Sequence, residues 1–194
     1  MSAIDRSALD QLFDAARSHP TFETRPVPRP VLRELVRLTM LGPTAFNQQP
    51  LRVVFVESAE AKARLSPALS RGNHDKTMAA PVTAILCWDL NFTDHLPEIW
   101  PPEDVRKYYP TEEARRNSAR RNATIEAGYF ILAARSLGLG CGPMAGFDAA
   151  RVQQEFLEGT GWEVNFLVNL GWPDRWPDSP RKPRLGFDEV AQLL

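Results

Sequence analysis

An α+β fold is predicted for this chain of 194 residues. Three short apolar, β-branched runs stand apart from one another, and segments with helical period lie between them. Nothing in the chain reads as a linker, a repeat or a low-complexity tract, so residues 1–194 are expected to form one domain. A chain of this length buries about 70% of its unfolded surface and needs no disulfide or metal to stay folded. Three strands are few for that length, which calls for a partner chain to complete the sheet.

The first helix is expected over residues 7–17, where Leu9, Leu12, Phe13 and Ala16 recur on one face. Ser7 with Asp10 approximates a capping box, and Pro20 ends the helix. Residues 25–30 (RPVPRP) must be extended, because each proline also restricts its predecessor. A second helix over 30–41 places Leu32, Leu35, Val36 and Thr39 together, with proline in its first turn. Residues 42–50 (GPTAFNQQP) form a loop, and 51–57 (LRVVFVE) a strand. Ser58 caps a short helix to about Leu69. Residues 81–88 (PVTAILCW) read as a strand buried on both faces. The stretch 89–110, rich in proline and aromatics, has no period and reads as a long functional loop, often a lid.

The longest helix begins near Thr111, with Glu112 and Glu113 suited to its dipole. Its first half is charged and its second half, 125–137, is apolar almost all round, so the helix is expected to run from solvent into the core. Gly138 supplies the stop. Asp148 caps a helix to about Leu157, and 162–170 (WEVNFLVNL) alternates as a third strand. A proline-rich tail from Pro173 closes in a short helix begun at Asp188.

Lys plus Arg is 23 against 24 for Asp plus Glu, a net charge of −1 that argues against nucleic acid as a partner. The 17 prolines, against an average near ~5%, imply long ordered loops. Cys87 and Cys141 form no CxxC pair and read as reduced cytosolic thiols. The opening residues lack the pattern of a signal peptide, and no apolar run approaches the ~18 residues of a membrane span, so a cytoplasmic protein with no membrane partner is expected.

Several constellations bear on chemistry. Residues 138–146 (GLGCGPMAG) place Pro143 where a dinucleotide fingerprint needs its third glycine, and they follow a helix rather than a strand. A tight turn, or a turn that lets backbone approach a flat ligand, fits better. His19, His74 and His95 have no metal-ligand spacing, and there is no GxSxG. Cys141 between glycines reads more readily as a buried structural thiol than as an exposed thiolate. The run PRKPRL (180–185) sets three cations between prolines, which stiffens Lys182 and Arg184 to grip an anion such as phosphate. Arg17-Ser18-His19 offers another cation with hydroxyl and backbone donors.

These pieces occur in a telling order. Arg17-Ser18-His19 comes first, then G-P-T-A-F-N-Q-Q-P directly before a strand. Asn73 and Lys76 precede Pro81, G-P-M-A-G-F-D follows the long helix, and K-P-R-L stands near the end. Across essentially the whole chain this order resembles the FMN-dependent nitroreductase family. Within the family it is most similar to the branch that reduces malonic semialdehyde in pyrimidine degradation. The stretches that carry this are Arg71-Gly72-Asn73, Lys76-Thr77, residues 80–85, Arg121-Asn122 and residues 142–148.

The resemblance implies a central mixed or antiparallel sheet flanked by helices, in a homodimer with two FMN sites at the subunit interface. It implies that Arg17, Ser18 and His19 with Lys182 and Arg184 hold the FMN phosphate. Pro43, Thr44 and Asn47 would reach the flavin from the other subunit. Asn73 and Lys76 would face the pyrimidine edge of the ring, and Pro143, Met144, Ala145 and Gly146 its face near N5. NADPH or NADH would reduce the flavin and give way to a small aldehyde acid, yielding 3-hydroxypropionate. No catalytic side chain is required, because the cofactor carries the hydride. The alcohol proton would come from water, Tyr108 or Tyr109, and Arg115, Arg120 and Arg121 are candidates to meet a substrate carboxylate. Two departures from the family pattern stand out. Pro20 and Thr21 stand where many members carry a second basic residue, and Ala145 stands where many nitroreductases carry Glu. A broad nitro- or quinone reductase, and a flavin-binding protein without turnover, are the alternative expectations.

Overall fold

The computed structural model describes residues 2–175 and 180–194, so part of the proline-rich tail, 176–179, lies outside the described residues. The chain opens with α1 (Arg6–Leu9), which widens into a π turn at Asp10–Asp14. It continues through α2 (Arg29–Thr39), β1 (Leu51–Val56), α3 (Ala59–Leu65), α4 (Arg71–Ala79) and β2 (Val82–Asp89). After α5 (Leu96–Ile99) come α6 (Glu112–Ser136), β3 (Gly140–Met144), α7 (Ala149–Val152), β4 (Trp162–Gly171) and α8 (Phe187–Val190). The four strands form one antiparallel sheet in the order β1-β2-β4-β3.

β2 is central and buried on both faces, as its unbroken apolar run predicts. Ala84 and Leu86 point to the face covered by α2 and α6, where Leu32, Leu35, Ala123, Ala127 and Phe130 pack. Ile85 and Cys87 point to the other face, against Leu65, Val152 and Leu157. The caps expected at Ser58 and Asp148 are in place, and Thr111, near which the long helix is expected to begin, caps it. The side chains of Ser58, Thr111 and Asp148 accept the amides of Ala61, Ala114 and Arg151. Among the described residues no helix is long and apolar enough to cross a membrane.

Several expectations are corrected. β3 is a fourth strand within residues that read as a glycine-rich turn. Gly138, at φ +78°, ends α6 as expected, but the next residues extend and pair with β4, Cys141 opposite Leu170. The polar helix α4 carries no apolar face to announce it, and Thr77 is its one buried residue. Tertiary contact holds it instead. The amine of Lys62, itself buried, donates to the carbonyls of Thr77, Met78 and Ala80 at the end of α4. Burial pushes that amine down to about 8.

The N-terminal helix is capped by Asp5 rather than Ser7, and its apolar stripe is only partly covered by this chain, with Ala16 buried and Phe13 half exposed. Residues 89–110 are ordered in short turns around a small core of Phe92, Leu96, Val105 and Tyr109. The second half of α6 is two-faced. Ile125 and Tyr129 are exposed, and Glu126 is fully buried in their stead.

Glu126 accepts the amide of Leu51 at 2.9 Å through Oε2, while its Oε1 has no partner among the described residues. Burial raises its carboxyl to about 7, against the opposing pull of the Leu51 amide and Arg52. The folded state therefore binds more protons than the unfolded one between the ordinary value of 4.5 and about 7. Stability falls as pH rises through that window. Between pH 5.5 and 8 the cost is about 2 kcal/mol. Glu126→Gln mimics the neutral acid. Thermal unfolding across this range should show the native midpoint falling about 4–8 °C relative to the variant. Parallel curves would show that Glu126 does not titrate there.

Candidate active site

The edge strand β3 is lined with glycine, and that lets the chain before α2 lie directly on it. A Cβ on Gly140 would meet the His19 ring at 3.0 Å, and one on Gly142 would stand 2.8 Å from the His19 carbonyl. In their absence the His19 amide donates to the Cys141 carbonyl at 2.9 Å, and Ser18 bridges to Cys141. Burial holds the His19 imidazole below its usual range, with Asp174 opposing and Arg135 adding to the effect. Cys141 and Cys87 are buried thiols, each pushed up to about 12 by that burial, so neither is a nucleophile near neutral pH.

Arg17 precedes this contact, and three more guanidiniums gather around it. Arg181 donates to the carbonyls of Phe13, Asp14 and Ala16, and Arg17 donates to those of Asp14 and Ala16. Arg135, in the last turn of α6, donates to the Leu12 carbonyl at 2.8 Å. The charge on Arg181 is disfavoured first by desolvation, then by Arg17, Arg184 and Arg135, with Asp14 opposing. The buried Nε groups of Arg17 and Arg135 have no partner among the described residues. A cavity of about 290 Å³ opens beside them, lined by Arg17, His19, Arg135, Leu139 and Cys141. Crowded cations, buried donors and open volume suit a phosphoryl-sized anion. Arg184 folds back on the carbonyls of Lys182 and Pro183, and Lys182 is exposed.

At the other end of β3 the chain turns at Gly146, whose carbonyl accepts from Asn73 Nδ2 at 2.8 Å and from the Ser70 amide at 3.1 Å. Lys76 lies one turn further along α4, half-buried. Pro143 and Ala145 are exposed, while Met144 turns inward and its sulfur accepts from the Thr77 hydroxyl.

The loop 42–50 is elsewhere. It leads into β1, the opposite edge of the sheet, three strand spacings or roughly 14 Å from β3. Phe46, Asn47 and Gln49 all have positive φ (51°, 52° and 42°), at a cost of about 1–3 kcal/mol for a residue held in that region, least for Asn. Thr44 Oγ1 accepts the Gln49 amide, and Asn47 donates to the Ile99 carbonyl. Phe46 stacks on the exposed Tyr108 at 5.4 Å, whereas Tyr109 is buried against Phe92.

The fold thus brings Arg17, Ser18, His19, Arg184, Asn73 and residues 143–146 to one edge and leaves Pro43, Thr44 and Asn47 at the other. Arg135 and Arg181 were not singled out by sequence. Arg181 stands in the PRKPRL run that drew notice, but Arg135 resembles any basic residue closing a helix. Among the helix arginines, Arg115 donates to the Tyr109 carbonyl, Arg120 lies over Trp88 and Arg121 is exposed.

The Gly146 turn is tight enough to test. A Cβ there would stand 2.5 Å from Asn73 Nδ2 and 2.8 Å from Ser70 Oγ. Gly146→Ala should cost about 1–3 kcal/mol, or about 2–12 °C in the unfolding midpoint. An unchanged midpoint would show that the turn yields freely.

A family model described as the nitroreductase family matches residues 13–172. A candidate NADH dehydrogenase/NAD(P)H nitroreductase of Stenotrophomonas maltophilia is 53% identical over 192 residues, covering 98% of each chain. A counterpart of the same description in Burkholderia lata is 49% identical over 194 residues and covers all of both. In fold, the chain is similar to a candidate nitroreductase of Exiguobacterium sibiricum solved in complex with FMN. The TM-score is 0.85 at 19% identity, covering 100% of this chain and 99% of that one. With a family model spanning most of its length and relatives about half identical from end to end, the chain belongs to the nitroreductase family.

Proposed function

We propose that this chain is an FMN-dependent NAD(P)H oxidoreductase, active as a homodimer, that reduces the small aldehyde acid malonic semialdehyde to 3-hydroxypropionate. The observation that carries the reading is a cavity at the β3 edge lined by Arg17 and Arg135, with Arg181 close enough to feel both of them and Arg184. The FMN-bound relative in fold and the NAD(P)H named for the sequence relatives support it. FMN, when bound, supplies the hydride chemistry. This chain's residues bind and orient. The guanidiniums with Lys182 grip the phosphoryl end, and Ser18 and His19 frame it. Asn73 and Lys76 hold the pyrimidine edge of the ring, and residues 143–146 lie along its face.

Pro43, Thr44 and Asn47 come from the second chain. Their place at the opposite sheet edge supports a dimer, since one chain does not bring both sets together. The exposed apolar side chains of Leu41, Ile125 and Tyr129, and of Leu185, Phe187 and Val190 in the tail, support it further. Ala145, in the place of a common Glu, supports a small aldehyde acid over a nitroaromatic. Tyr108, exposed beside Phe46, is better placed than buried Tyr109 to give the alcohol its proton. Exposed Arg121 is the helix arginine that best suits the substrate carboxylate.

A second reading, a broad nitro- or quinone reductase, is favoured by the names of the relatives. Turnover of the purified flavoprotein with NADPH and NADH separates the two. A kcat/KM for malonic semialdehyde at least ~10-fold above those for a nitroaromatic and a quinone is expected. The reverse order selects the second reading. A flavin that is never reoxidised by any of them marks a binding protein.

The phosphate assignment has its own check. A charge-assisted hydrogen bond contributes roughly 1.5–3 kcal/mol, so Arg184→Ala should weaken FMN about 10- to 150-fold. Riboflavin, without the phosphate, should bind almost as before. Lys at position 184 should restore only part of the loss. Equal weakening of both ligands in a titration of the apoprotein would place the effect on folding or assembly instead.

A further inference from the structure

The loop before β1 is tied to α6 by a closed ring of hydrogen bonds. The Ala45 amide donates to Asn122 Oδ1 at 2.9 Å. Asn122 Nδ2 donates to the Ser118 carbonyl at 2.9 Å and reaches the Ser118 hydroxyl at 3.5 Å. That hydroxyl donates to Gln48 Oε1 at 3.1 Å. Gln48 Nε2 returns to the Ala45 carbonyl at 3.1 Å. The ring begins and ends on the two polar groups of one residue, Ala45. Gln48 is fully buried and Asn122 nearly so, which shields these bonds from water.

The ring spans the residues whose backbone is least comfortable. Phe46, Asn47 and Gln49 hold left-handed φ values, and neither Phe nor Gln adopts that region readily. Such a conformation persists only where the surroundings over-determine it. Ser118, Asn122 and Glu126 lie four residues apart on α6, so all three face the loop. Glu126 holds the Leu51 amide just beyond it. A buried polar side chain on a helix otherwise packed with alanines has no role in the apolar core, but here it has one in shaping a loop.

We infer that Asn122, with Ser118 and Gln48, is a positioning clamp that sets the shape of residues 44–49 and so fixes where Thr44 and Asn47 meet the flavin of the partner chain. This rests on the proposed function for the identity of the ligand. The clamp itself rests on the hydrogen-bond ring.

The test uses the full-length flavoprotein and Asn122→Ala, with Ser118→Ala as a milder break at a half-buried position that alanine suits and Ser118→Thr as the conservative control. Amide exchange is followed in a peptide covering 44–51, and Kd is measured for FMN and for riboflavin. Leaving buried donors unsatisfied should speed exchange and weaken both flavins, about 5- to 150-fold for Asn122→Ala. Both ligands should change by the same factor, since the loop does not meet the phosphate, and the absorption band of the bound flavin should shift. Ser118→Thr should behave as the unsubstituted protein. Unchanged exchange in both alanine variants overturns the clamp. Faster exchange with unaltered affinity and spectrum overturns its positioning role, even if the melting temperature falls. If the unsubstituted protein binds neither flavin, the proposed function fails and the cofactor half of the inference fails with it, while exchange still decides the clamp.

Discussion

One backbone bond, from the His19 amide to the Cys141 carbonyl, organises the functional end of the molecule. It forms only because Gly140 and Gly142 leave room for the incoming chain. Gly171, across from Gly140 on β4, does the same for Phe22 and Pro81. From that contact the rest follows in steps. Arg17 is held at the mouth of the cavity, the end of α6 delivers Arg135 to the same place, and the tail lays Arg181 over the last carbonyls of the first helix. The carbonyls of residues 12–16 are the local counterweight to three positive charges. A side chain on either glycine would separate the segment from the strand and scatter the cluster.

Buried charge is used in different ways across the fold. Lys62 lies within reach of three carbonyls and serves as a helix cap, the polar end of a long side chain whose stem adds to the core. Arg52 and Asp89 close at 2.6 Å, with Asp89 almost fully buried, and pin the start of β1 to the end of β2. The surface pairs, such as Arg37 with Glu34 and Arg106 with Asp104, are exposed and add little to stability. Among the described residues the arginines at the cavity form no ion pair, with Asp14 opposing only part of their mutual repulsion, and charge so weakly matched in a folded protein is a reason to look for a ligand.

Much of this was legible from residue patterns. β-branched and apolar runs marked three strands, and caps at Ser58 and Asp148, with the first-turn acids Glu112 and Glu113, marked helix starts, because both signals are local. What escaped depends on distant contacts. β3 has the composition of a turn and becomes a strand because β4 offers it a ladder. α4 has no apolar face and is a helix because Lys62 closes its end. The exposed side of α6 looked like core because apolar residues were counted without regard to Glu126, whose burial turns the helix about its axis. Within the site, the motifs located Asn73 beside Gly146 and Arg17 beside the tail. They marked Asn122 only as part of a stretch that carries the resemblance and gave it no role, since what an asparagine in a helix does is not visible until the loop it holds is seen.

The placement of Thr44 and Asn47 at one sheet edge and the arginines at the other has a genetic consequence. In the proposed dimer each site is a composite, half from one chain and half from the other. A chain damaged at its arginine cluster and a chain damaged in its loop would each be inactive alone. Paired in one dimer, they place both lesions in the same site and leave the second site with an intact set of residues. Two such alleles would therefore complement each other within a cell, each mixed dimer regaining up to half the activity of an undamaged one without any recombination between them.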